Sequence, residues 1–112
     1  MQKRYRLRKR ALFSHVYGTG RSAAGRVLVM YVLPSDGELR VGLSAGRKLG
    51  TAVVRNRAKR RLREVVRKNL KQLAHGNFFV VIARTGVIRA SLSEIEREFI
   101  SIAKRLKVWV GQ

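Results

Sequence analysis

The segment from Thr51 to Leu73 places the strongest limit on the fold. Val54, Ala58, Leu62, Val65, Val66, Leu70 and Leu73 recur at helical spacing, and Arg57, Lys59, Arg60, Arg61, Arg63, Arg67, Lys68 and Lys71 fill the remaining circumference. A helix with one apolar stripe must lay that stripe against another layer. Thr51 is its expected N-cap and Gly76 its expected stop. Strand-like segments lie on both sides. "LRVGLSA" alternates, with Leu39, Val41, Leu43 and Ala45 on one face, and "NFFVVIAR" is a continuous apolar run suited to a strand buried on both faces. A helix that joins two strands is a crossover lying on a small sheet.

The remaining segments fit around that unit. "GRVLVMYVLP" reads as a strand closed by Pro34, and Asp36-Gly37 predicts a hairpin that pairs it antiparallel with "LRVGLSA". Leu12, Phe13, Val16 and Tyr17 predict a short helix over 9–18, ended by Gly18 and Gly20, behind a basic arm over 1–8. Leu92, Ile95, Phe99, Ile102, Ala103 and Leu106 predict a last helix over 92–108. Ser91 or Ser93 caps it, and Ser93 and Glu96 have capping-box spacing. Glu94, Glu96 and Glu98 sit in its first turns and Lys104, Arg105 and Lys107 in its last, as the helix dipole prefers. The expected architecture is a single α/β (α+β) domain over 1–112, a two-layer sandwich with a small mixed sheet.

Charge indicates the partner. The chain has 26 Lys and Arg against 6 Asp and Glu, a net charge of +20, so it is drawn to polyanions. A solvated helix usually mixes signs to gain i,i+4 pairs. The helix after Thr51 has Glu64 as its one acid through Lys68, and its arginines match phosphate oxygens bidentately. Its apolar stripe lacks Trp and Phe, which argues against a helix lying on a membrane, and no apolar run approaches spanning length. Nucleic acid is the expected partner. The chain has no cysteine, which removes disulfides and thiolate metal sites and fits a reducing compartment. No apolar run follows the basic N-terminus, so no signal peptide is expected.

Side-chain catalysis is not expected. His15 and His75 are far apart in sequence and neither has a neighbouring carboxylate; there is no nucleophile motif, P-loop or dinucleotide fingerprint. Phe78, Phe79 and Phe99 read as core. Phe13 and Tyr17 share a helix face, and Tyr31 faces the same way as Val27 and Val29. These three rings are open to two readings, core packing or a stacking platform for single-stranded bases.

The stretch "LSAGRKLGTAVVRNRAKRRLREVVR" closely resembles the Arg-Asn-Arg signature of the bacterial ribonuclease P protein subunits. The match lies at Arg47, Lys48, Gly50, Ala52, Val53, Arg55, Asn56, Lys59, Arg60, Arg63 and Glu64. It extends to Arg6-Leu7 and Phe13 upstream, to "ELRVGLS" and to "VVIAR". Arg47 departs from the more usual lysine but keeps the charge. The resemblance implies an α/β sandwich with a left-handed crossover through the basic helix. It implies the protein subunit of an endoribonuclease that removes the 5′ leader of precursor tRNA in the cytoplasm. The RNA subunit would be the catalyst, with magnesium acting there and no cofactor or catalytic residue on the protein. The RNA-subunit face would be Arg47, Lys48, Arg55, Asn56, Arg57, Lys59, Arg60 and Arg63. The leader cleft would be Phe13, Tyr17, Val29 and Tyr31. The free protein would be a monomer. Glu64 would pair with Arg60 or Lys68, and Asn56 would bond RNA or local backbone. The alternatives are a general or ribosomal RNA-binding protein and a nuclease with its own site.

Overall fold

The computed structural model describes residues 20–111. The expected helix over 9–18, with Phe13 and Tyr17, and the arm over 1–8 lie outside the described residues. The elements are β1 (Arg21–Ala24), β2 (Leu28–Pro34), β3 (Leu39–Ala45), α1 (Ala52–Asn69), β4 (Asn77–Ala83) and α2 (Leu92–Arg105). Short 3-10 turns at Arg47–Leu49, Leu70–Gln72 and Thr85–Ile88 link them.

The four strands form one mixed sheet in the order β1-β2-β4-β3. β4 pairs antiparallel with β2, Tyr31 opposite Val80, and parallel with β3, Gly42 opposite Val80. The expected hairpin is therefore corrected. The turn at Asp36-Gly37 exists, with Gly37 at φ 95° and Ser35 Oγ donating to Glu38 O at 2.6 Å. The strands on either side of it do not pair, because β4 lies between them. Its two faces explain why: Phe79, Val81 and Ala83 enter the main core, while Val80 is buried on the reverse face. A strand apolar on both sides belongs in the middle of a sheet. β1, a polar edge strand, was not expected.

Both helices cover one face of the sheet. Ala58, Leu62, Val65 and Val66 of α1 and Ile95, Phe99, Ile102 and Ala103 of α2 join Met30, Val32, Val41, Phe79 and Val81 in one buried cluster. The reverse face carries Tyr31, Leu33, Phe78 and Ile82 around Val80. Phe78 thus lies half-buried on the reverse face and not in the main core, while Phe79 and Phe99 are core as expected. Val27, in the main core, is not on Tyr31's face.

The helix ends follow local chemistry. Thr51 caps α1, its side chain accepting from Val54 N at 3.4 Å. The α-helix stops at Asn69 and tightens into a 3-10 turn, earlier than the expected Leu73. Gly76, at φ 81°, belongs to the turn into β4 rather than to the helix end. Ser91 caps α2 in a capping box with Glu94. Ser93 and Glu96 have the same spacing but do not form the box, because Glu96 accepts from Asn69 of α1. The last helix ends at Arg105, short of the expected 108. The chain after it lies antiparallel along the exit of α1, with Ala74 N donating to Val108 O at 2.8 Å and Val110 N to Gln72 O at 2.7 Å.

Candidate nucleic-acid interface

Stepping about 100° per residue sorts the side chains of α1 into three sets. Asn56, Arg60, Arg63 and Arg67 fall within about 60° of arc, opposite the buried Ala58–Leu62–Val65–Val66 stripe, with Lys59 at one edge. Arg57, Arg61 and Lys68 lie together on one flank with Glu64. Arg55 falls within the arc of the buried stripe, between Leu62 and Val66. Val53, Asn56, Lys59, Arg60 and Arg63 line one shallow surface depression. Arg55 is half-buried, and its Nε is enclosed without a hydrogen-bond partner among the described residues.

The residues expected to face RNA are therefore not one uniform row. Asn56, Lys59, Arg60 and Arg63 come together on α1. Arg47 and Lys48 are exposed on the adjacent 3-10 turn, which Leu49 anchors in the core. Arg57 points to the other flank. Arg61, counted with the exposed basics from sequence, instead reaches the 85–88 turn: its Nη1 donates to Val87 O at 2.9 Å and its Nη2 to Ala90 O.

The acids explain why the exposed stripe keeps one sign. All six lie within the described residues. Glu64 pairs with Arg67, not with Arg60 or Lys68; the Arg67 hydrogen bond, then its charge, holds the Glu64 carboxyl below its ordinary value. Lys68 pairs with Glu96 of α2 at 3.3 Å. Glu96 also accepts from the buried Asn69 at 2.8 Å, and that bond leads the lowering of its pKa, with Lys68 adding to it. Glu94 closes its capping box and pairs with Arg26 at 3.4 Å. Its carboxyl is lowered chiefly by the hydrogen bond from the Ser91 backbone, then by the Ser91 side chain. Glu98 accepts from the backbone N–H groups of Arg26, Val27 and Leu28 at 3.0, 2.7 and 2.8 Å. Glu38 pairs with Arg40 at 3.3 Å. Among the described residues no ion pair reaches Asn56's neighbours Lys59, Arg60 or Arg63.

Val29 and Tyr31, the described half of the expected leader cleft, share the reverse face of the sheet. Alternation along β4 adds Phe78, Val80 and Ile82 to that face, paired in register with Leu33, Tyr31 and Val29. A period of two in "NFFVVIA" signals this, but the continuous apolar run obscures it. The five glutamates are engaged by arginines, a lysine, amides and a cap as described, and among the described residues no three His, Asp or Glu gather.

The family model described as Ribonuclease P matches residues 1–107. The chain belongs to the ribonuclease P protein family. It is 46% identical over 107 residues to the ribonuclease P protein component of Symbiobacterium thermophilum, covering 94% of this chain and 93% of that relative. It is 43% identical to the component of an Exiguobacterium species, covering 100% and 98%. The RNase P protein of Staphylococcus aureus superposes with a TM-score of 0.84 at 32% identity, covering 96% of this chain and 99% of that one. The Thermotoga maritima RNase P protein gives 0.80 at 28%, covering 89% and 96%. The α+β sandwich with a mixed sheet is the fold of these proteins.

Proposed function

We propose that the chain is the protein subunit of a ribonuclease P ribonucleoprotein, an endoribonuclease that matures the 5′ end of tRNA. The observation that carries this reading is the acid-free stripe Asn56, Lys59, Arg60 and Arg63 beside Arg47 and Lys48, set within the family's signature. This surface binds the RNA subunit, exchanging condensed counterions for guanidinium and ammonium groups, which supplies free energy. The guanidinium forks and the Asn56 amide fix orientation by hydrogen bonding phosphate oxygens and RNA edges. The reverse face, with Val29 and Tyr31 together with Phe13 and Tyr17, holds the single-stranded leader by stacking. The protein supplies no nucleophile or general base. Magnesium supplies its chemistry with the RNA subunit, and the protein's part is to hold both RNAs in register.

The test is a precursor-tRNA processing assay with the matching RNA subunit at low magnesium. Addition of the chain is expected to accelerate leader removal, and the chain alone is expected to leave precursor intact. Cleavage without the RNA subunit would establish an independent nuclease. RNA binding with no effect on processing would establish a general RNA-binding protein.

A further inference from the structure

Arg61 stands in the middle of the signature helix, yet it is spent inside the fold. Its guanidinium spans two backbone carbonyls, Val87 O at 2.9 Å and Ala90 O. Val87 is fully buried and Ala90 nearly so. Ala90 immediately precedes Ser91, the cap of α2. The turn at 85–88 also packs against α1 and against the 47–49 turn that carries Arg47 and Lys48. It is thus a common seat for the two separate pieces of the cationic face.

We infer that Arg61 is a positioning residue for RNA-subunit binding. Its planar fork fixes the roll and depth of α1 on the 85–88 seat, holding Asn56, Lys59, Arg60 and Arg63 at a set spacing from Arg47 and Lys48. It makes no phosphate contact itself. The inference rests on the function proposed above. The physical reason is that phosphates on a folded RNA are fixed in space, so charges on two elements bind them together only if those elements are mutually locked. Lysine cannot replace the fork: it keeps the charge, but presents a compact ammonium on a flexible stem instead of two coplanar donors.

The experiment measures RNA-subunit affinity against salt for the full chain and for Arg61→Lys, Arg61→Gln and Arg60→Met. The half-buried single tryptophan, Trp109, reports the folded fraction in each sample. Arg60→Met is expected to reduce the magnitude of the log–log slope by about one. Both Arg61 variants are expected to bind several-fold more weakly at every salt concentration, with the wild-type slope, at temperatures where they remain folded. Gln retains one donor for a carbonyl, so at least one variant keeps part of the seat.

Three outcomes overturn the inference. If Arg61→Lys restores wild-type affinity while Arg61→Gln loses one unit of slope, Arg61 is a phosphate contact. If both variants bind as wild type, Arg61 positions nothing. A wild-type slope in Arg60→Met is a different failure, because it removes the RNA face itself and the positioning role with it.

Discussion

Single side chains in this protein have roles that residue type alone does not reveal. Glu98 reads from the sequence as a dipole-favoured residue of the last helix. In the fold it binds three consecutive amides at the entry to β2, two of them on the buried residues Val27 and Leu28. Gly25 permits this approach, since a Cβ there would lie 2.4 Å from the Glu98 carboxyl carbon. Removal of the carboxylate leaves buried donors unpaired, each a substantial cost. Glu98→Ala is therefore expected to lower stability by roughly 2–4 kcal/mol. Gly25→Ala is expected to act in the same direction by displacing the carboxylate. Denaturant unfolding measures both, and a Glu98→Ala midpoint at the wild-type value would show that water replaces the carboxylate without loss. Tyr31 carries the corresponding functional prediction. Tyr31→Ala is expected to weaken holoenzyme binding of precursor tRNA by roughly 1–3 kcal/mol, the range for one stacked base, and to spare mature tRNA, which lacks the leader. Equal losses for both RNAs would make Tyr31 a packing residue.

At the level of elements, the helices were legible and the strand order was not. Apolar spacing located α1 and α2 because a 3.6-residue period persists over several turns. Pairing partners are chosen by tertiary packing, and Asp36-Gly37 specifies a turn without specifying which strand lies beside which. The clue was in "NFFVVIAR": a strand with two apolar faces needs a neighbour on each side, which separates β2 from β3. β1 was missed because Arg21-Ser22-Ala23-Ala24 has no β-branched or aromatic residue and pairs at an exposed edge. The signature residues of the candidate site stand out in the sequence as one basic run. Their division does not, because Arg55, Arg57 and Arg61 differ from Arg60 in what lies beside them. The seam between α1 and α2 shows the same dependence, since Glu96 meets Asn69 and Lys68 across it and not Ser93. Glu96 and Glu94 both have folded pKa values below the ordinary 4.5. A carboxyl lowered by folding stabilises the protein above its unfolded pKa, and that stability is lost as pH falls through the folded value. Stability is thus expected to decline from about pH 5 downward. Glu96→Gln is expected to be less stable near neutrality and to show a shallower acid decline. Urea midpoints across pH 3 to pH 7, on the order of five points, give the comparison; parallel curves would exclude Glu96 as a source of the acid response.

The whole molecule carries +20 charges on 112 residues, and its acids are engaged mainly in caps, clamps and the helix seam. The cost of self-repulsion therefore falls on the free protein, which is expected to be less stable than its apolar core suggests. A polyvalent anion relieves that cost in two separable ways. Screening acts on every charge and depends on ionic strength alone. Site binding requires cations held together by the fold, as Lys59, Arg60 and Arg63 are on α1. Ligand that binds the native state alone adds RT ln(1 + [L]/Kd), about 2.7 kcal/mol at a hundredfold excess over Kd. Sulfate would confuse the two, because it also strengthens apolar burial. Millimolar pyrophosphate against chloride at matched ionic strength separates them. The thermal midpoint is expected to rise with pyrophosphate, and to rise less in a variant carrying both Arg60→Ala and Arg63→Ala. Equal midpoints in pyrophosphate and chloride would mean that the stripe is a diffuse cloud of charge, organised for phosphate only when the RNA arrives. An equal rise in wild type and variant would place anion binding elsewhere on the cationic surface and leave α1 without a preorganised site.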